Sequence, residues 1–153
     1  MLALRWLAAL FMILAFIGFL DASYLTVMHY RVATLPCSLF GGGCDRVTAS
    51  SYATVGNFPI ALLGTIYYLL ILILSFTFWL DNRKVGWFTL ASHLTVIGFI
   101  ATLWLFYLQA AVLKSFCTYC LLSALITAIL FVAGFFVRSA RHQAVASLVT
   151  NRA

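Results

Sequence analysis

Charge is what this sequence has least of. Asp and Glu together number three in 153 residues, and charged side chains of both signs make up 8% of the chain, against about 25% in an ordinary soluble domain. That shortage, beside a hydrophobic share of 65%, excludes a soluble globular domain and leaves a membrane protein. The alternation of apolar and polar residues that marks a membrane β-barrel is also missing. So is spare length: with the spanning runs set aside, too little remains for a second folded unit, and a single membrane domain over 1–153 is expected.

A bilayer core about 30 Å thick asks for roughly 20 apolar residues per helix. Four runs meet that need: Trp6–Met28, interrupted only by Asp21, then Phe58–Leu80, Val85–Leu113 and Ser115–Val137, the last three free of Asp, Glu, Lys and Arg. Unpaired backbone groups are too costly in hydrocarbon for these runs to be anything but helices, and four of them form a bundle. The expected fold is therefore all-α, a bundle of four transmembrane helices over about 6–28, 58–80, 85–113 and 115–137, with an outer loop over 29–57 and a tail over 138–153. A cleaved secretory signal is the poorer reading of the first run. Its apolar character continues past Asp21 through Tyr24, Leu25, Val27 and Met28, and no A-x-A site follows.

The basic residues then give an orientation. Arg5, Arg83, Lys84, Arg138, Arg141 and Arg152 fall at one set of helix ends, and Arg31, Arg46 and Lys114 at the other. The positive-inside rule puts both termini and the turn between helices 2 and 3 in the cytoplasm. The loop over 29–57 and the junction of helices 3 and 4 then face outward. The net charge of +6 is accounted for by these helix-end positions, so nucleic acid is not an expected partner.

All four cysteines map to the outward face. Cys37 and Cys44 form C-x6-C in the loop, and Cys117 and Cys120 form C-T-Y-C at the start of helix 4. Outside the cytoplasm disulfides form and persist, so two pairs there point to disulfide chemistry. Residues three apart on a helix share a face, and Ser115, preceded by Lys114, is the expected N-cap. The positive helix end and the nearby ammonium favour thiolate over thiol, which makes Cys117 the expected exchange-prone sulfur. The segment CSLFGGGC carries three consecutive glycines, whose backbone freedom suits a thiol moving between an external partner and a buried pair. Two plainer readings stand beside this one. The disulfides would merely brace a structural membrane protein, or the cysteines would hold zinc; C-x6-C fits the short spacings of zinc sites poorly, so no metal is expected.

Taken together, these segments resemble the vitamin K epoxide reductase family in its bacterial form. Helix 1 ends in DASYLTVMHY (Asp21–Tyr30), the loop reads C-x6-C-D with Ser50 following, GNFPIALLG (Gly56–Gly64) opens helix 2, and C-x-x-C opens helix 4. The resemblance implies a four-helix bundle around a quinone in a bacterial inner membrane, with a short half-helix in the loop and a thioredoxin-fold periplasmic protein, separate from this chain, as electron donor. It implies that Cys37 meets that partner, Cys44 exchanges with Cys117, and Cys120 passes electrons to the quinone. Ser50 matches the family's loop serine, expected on the half-helix with its hydroxyl near the cysteines. At the two positions where the animal enzymes bind quinone through an asparagine and a tyrosine, this chain has Ile60 and Ala124. A respiratory ubiquinone or menaquinone is therefore the implied substrate rather than vitamin K epoxide. A second four-helix type of disulfide-forming enzyme carries its cysteine pairs in the reverse order, and a transmembrane reductant conductor would need cysteines embedded between the two faces.

The aromatics Phe106, Tyr107, Phe116 and Tyr119 cluster near the outer mouth, as candidates to wall a quinone pocket or as an interfacial belt. His93, in the cytoplasmic half of helix 3, is expected to make an interhelical hydrogen bond. Asp21 is expected either to orient the loop through Arg31 or Arg46 or to stand in solvent. Gly98 and Ala101, and Ala124 and Ala128, are expected at close helix contacts.

Overall fold

Four helices in the computed structural model are long and apolar enough to cross a membrane, spanning Leu4–Arg31, Ile60–Leu80, Val85–Val112 and Thr118–Ser139. The described residues are 2–31, 43–48, 50–56, 58–81 and 83–150; Cys37 lies outside them. The elements in chain order are α1 (Leu2–Arg31), α2 (Gly43–Thr48), a 3-10 turn (Ser51–Ala53), β1 (Thr54–Val55), β2 (Phe58–Pro59), α3 (Ile60–Leu80), α4 (Val85–Tyr107) and α5 (Thr118–Thr150). The 21 residues of α3 rise about 31 Å at 1.5 Å each, one hydrocarbon thickness. The expected all-α membrane bundle is present, with the short helix between the first two spans and a small addition. That addition is an antiparallel pairing of β1 with β2, Thr54 against Pro59 and Val55 against Phe58, turned at Gly56, whose φ of +63° suits a residue without a Cβ.

α1 packs mainly on α3 and α4 on α5, with α3–α4 and α1–α5 contacts closing the bundle. Large apolar side chains such as Phe16, Ile97, Ile100 and Leu125 face outward, as they must toward lipid. With no hydrophobic force between helices in a bilayer, close approach rests on small residues and polar links. A Cβ at Gly18 would run into the ring of Tyr68, and one at Gly98 into the ring of Tyr67. Tyr68 itself bonds across to α5, to the Ser123 carbonyl (2.9 Å) and to the hydroxyls of Ser123 (2.8 Å) and Thr127 (2.9 Å). One buried cluster, which includes Phe11, Phe78 and Phe88, fills most of the bundle; a second, smaller one holds Leu25, Cys44, Val47 and Cys117 at the end where α2 packs.

Two boundaries differ from those expected. α4 continues through a π turn, Leu108–Val112, and Lys114 then adopts φ 47°, a left-handed conformation that ends helical winding. The next helix therefore begins at Thr118 instead of 115. At the far end the tail expected over 138–153 is helical to Thr150. No proline or glycine follows Gly134, so nothing stops the winding where the apolar run stops.

Candidate functional site

The break at Lys114 decides which residue caps α5. The carbonyl of Cys117 accepts the first bond of the helix, from the Leu121 N–H (2.9 Å), and its sulfur accepts the Cys120 N–H (3.4 Å). Cys117 is thus the N-cap residue, a correction to the expectation for Ser115, whose N–H instead donates to the Gln109 carbonyl (3.2 Å). A sulfur at a helix N-terminus meets unpaired N–H groups and the positive end of the dipole. Cys117 and Cys120 are both free thiols. A hydrogen bond from the Cys120 side chain, helped by backbone N–H groups, holds the Cys117 thiol below its ordinary range, against the opposing effects of burial and of Asp21. Cys117 is nevertheless 0% exposed, so the sulfur best prepared to react is reached only from within the protein.

Cys44 comes to it there. On α2 it is disulfide-bonded, 0% exposed, and part of the same buried cluster as Cys117, with Tyr24, Met28, Tyr119 and Cys120 packed around. The Thr48 hydroxyl holds this short helix by donating to the Cys44 carbonyl (2.9 Å). Three of the four predicted cysteines are therefore brought together, and the fourth, Cys37, lies outside the described residues.

Beside Cys120 opens a cavity of about 150 Å³, bounded by α1, α2, the hairpin, α3, α4 and α5, on the order of the space that takes one benzene ring. Its wall is mainly apolar, including Leu25, Pro59, Ile60, Leu105, Leu121 and Ala124, with Ser50, Thr102, Gln109 and Ser123 among its few polar groups. Such a site suits a flat, largely apolar molecule with one or two polar atoms. Among the described residues no three His, Cys, Asp or Glu side chains gather as a metal set.

The aromatic candidates separate. Phe106 lines the cavity and stands 6.2 Å from the ring of Phe116. Tyr119 packs on Tyr24 at 5.2 Å, among the cysteines rather than in the cavity. Tyr107 is exposed and stacks on Trp104 at 5.9 Å. Ser50 reaches the cavity wall, but it follows α2 instead of lying on it, and its hydroxyl donates to the Val47 carbonyl (2.7 Å), not to a cysteine. His93 is exposed, and its Nδ1 pairs with the Thr89 carbonyl of its own helix (2.8 Å), so the expected interhelical bond is not made among the described residues. Asp21 is neither solvated nor joined to a described arginine; it is buried, with Oδ2 unpartnered among the described residues. One site residue was missed altogether. Gln109, 5% exposed, lines the cavity and its Oε1 accepts the Cys117 N–H (3.1 Å). A single carboxamide in the uncharged run Val85–Leu113 is the sequence signal that marks it, since polar groups in hydrocarbon are rarely idle.

Residues 9–135 match the sequence model described as the Vitamin K epoxide reductase family. Over 118 residues the chain is 30% identical to Thiol-disulfide oxidoreductase LTO1 of Arabidopsis thaliana, a region that is 73% of this chain and 31% of that protein. The chain thus spans about a third of the length of this curated relative.

Proposed function

The chain belongs to the vitamin K epoxide reductase family, and on that premise we propose that it is a membrane thiol–disulfide oxidoreductase, taking electrons from a separate thioredoxin-fold protein and delivering them to ubiquinone or menaquinone. The observation that carries the reading is the meeting of Cys44 with Cys117 in one buried cluster, with Cys120 beside them on the wall of an apolar cavity. The excess of basic residues at the opposite helix ends supports a cysteine face outside the cytoplasm of a bacterial inner membrane.

In this reading the partner's dithiol reduces the Cys37–Cys44 disulfide and leaves oxidised. Cys44, as thiolate, then attacks Cys117 of an oxidised Cys117–Cys120 pair, forming a mixed disulfide and releasing Cys120; Cys37 resolves it by attacking Cys44, which restores the loop disulfide and frees Cys117 as thiol. A quinone supplies an acceptor for two electrons and two protons, and the residues present fit one: an apolar slot, a thiol at its wall and a buried carboxamide. The helix N-terminus and the Cys120 thiol keep Cys117 ready as leaving group, and burial of Cys117 leaves a protein donor to work through the loop cysteines.

The test is quinone reduction by purified protein in detergent, followed optically with a reduced thioredoxin-fold donor. Wild type should turn over and Cys120→Ser should not. Cys37→Ser should fail with the protein donor yet keep activity with a small dithiol. Folded wild-type protein that reduces neither quinone would refute the reading and favour a structural role for the disulfides.

A further inference from the structure

Several side chains that line the cavity beside Cys120 carry donors, His29, Tyr52 and Thr102 among them, but the one hydrogen-bonded to the Cys117 N–H among the described residues is Gln109. Ser50 spends its hydroxyl proton on the Val47 carbonyl (2.7 Å), Thr48 on that of Cys44 (2.9 Å), and the Ser123 hydroxyl is paired with Tyr68 (2.8 Å). Gln109 is placed differently. The π turn, a feature often found at functional sites, swings it inward, and the Ser115 N–H bond to its carbonyl (3.2 Å) ties down its backbone. Because Oε1 is engaged by the Cys117 N–H (3.1 Å), the orientation of the amide is set: its oxygen faces the cysteine. The amino group makes no hydrogen bond among the described residues and is the polar end left to face the cavity. An amide with idle donors in an apolar setting is costly, and that cost is recovered when a ligand supplies an acceptor.

We propose that Gln109 binds the quinone, its amino group donating to a quinone carbonyl while its oxygen holds the Cys117 amide. The proposal rests on the function argued above and adds the residue that positions the ring. One side chain then sets the acceptor relative to the cysteine pair. The balance of the step is simple. Cys117 and Cys120 lose two protons and two electrons to become a disulfide, the quinone gains both to become quinol, and Gln109 changes no protonation. Its donor also faces the oxygen on which negative charge builds as electrons arrive, so it lowers the barrier as well as binding.

The chain has two glutamines, Gln109 and Gln143, which makes a direct test possible on the wild-type protein. Protein carrying 15N only in glutamine side chains, in detergent micelles, gives two amide pairs by NMR. Titration with a short-chain ubiquinone, and separately with a short-chain menaquinone, should shift one pair downfield, the pair missing from Gln109→Met. Quenching of protein fluorescence should give a Kd roughly fivefold to tenfold weaker in Gln109→Met, the range of one neutral hydrogen bond. If that variant does not fold, Gln143→Asn identifies the pairs by removing the other. Saturable quinone binding with both pairs unmoved overturns the proposal and leaves the function standing. Absence of quinone binding to folded wild-type protein overturns both.

Discussion

Tyr68 and Gly18 should be energetically coupled, and the coupling can be sized from their geometry. A Cβ added at Gly18 would lie 2.5, 2.6 and 2.7 Å from three atoms of the Tyr68 ring, so either the ring or α1 must move. The ring is not free to do so, because its hydroxyl is held by Ser123 and Thr127 on α5 at 2.8–2.9 Å. Gly18→Ala should therefore cost about 2 kcal/mol, within the usual range for overpacking. Tyr68→Phe removes the tether; membrane hydrogen bonds average about 0.6 kcal/mol and reach about 1.7, and the freed hydroxyls can turn to carbonyls of their own helix, so a cost of about 1 kcal/mol is expected. Without the tether the ring can yield to a new methyl. The double variant should then be less destabilised than the sum by about 0.5–1 kcal/mol, the size typical of residues in contact. Reversible unfolding in mixed micelles with increasing sodium dodecyl sulfate, run on all four proteins, gives the cycle. Additivity within about 0.3 kcal/mol, or a neutral Gly18→Ala, would refute the claim that the hydroxyl holds the ring against α1.

Cys117 titrates below an ordinary cysteine chiefly through the hydrogen bond from Cys120. Its thiolate therefore persists to lower pH and is lost as pH falls through the depressed value; the pH midpoint of thiolate formation, read from the 13C shift of the Cys117 Cβ, should move upward in Cys120→Ala. Asp21 opposes the effect, so Asp21→Asn should move the same midpoint downward, and an unchanged midpoint would mean that its carboxylate is not felt at the sulfur. His93→Leu should leave quinone turnover within about twofold, because the imidazole is exposed and bonded only to its own helix among the described residues; a tenfold loss would restore a catalytic role.

Hydropathy made the bundle legible because it reports what the bilayer demands, a charge-free run of fixed length, and α3 ends at Leu80 and α4 begins at Val85 where the runs Phe58–Leu80 and Val85–Leu113 predict. It says nothing of winding once the chain leaves the apolar phase, which is why α5 outlasts its run and reaches Thr150. The cysteines were legible as pairs because the spacings C-x6-C and C-x-x-C are local. Their surroundings were not, and the reason is geometric. A spacing rule assumes a regular helix, and the site is built where regularity fails: a π turn at Leu108–Val112, then a left-handed Lys114. Those two departures return the chain on itself so that Gln109 meets the amide of Cys117, eight residues later, a pairing that no helical or extended periodicity contains. They also delay α5 until Cys117 becomes its cap. A sulfur in that position receives the helix N-terminus directly, whereas one already inside the first turn, as a helix starting at Ser115 requires, would share those N–H groups with the backbone carbonyls before it. The irregular segment thus does two things at once: it raises the share of thiolate at Cys117 and carries a carboxamide to the cavity wall. Restoring regular winding by deleting one residue within Leu108–Val112 should therefore impair both together, raising the titration midpoint of Cys117 and weakening quinone binding in the same variant, while a variant that loses one and keeps the other would show that the two are built independently.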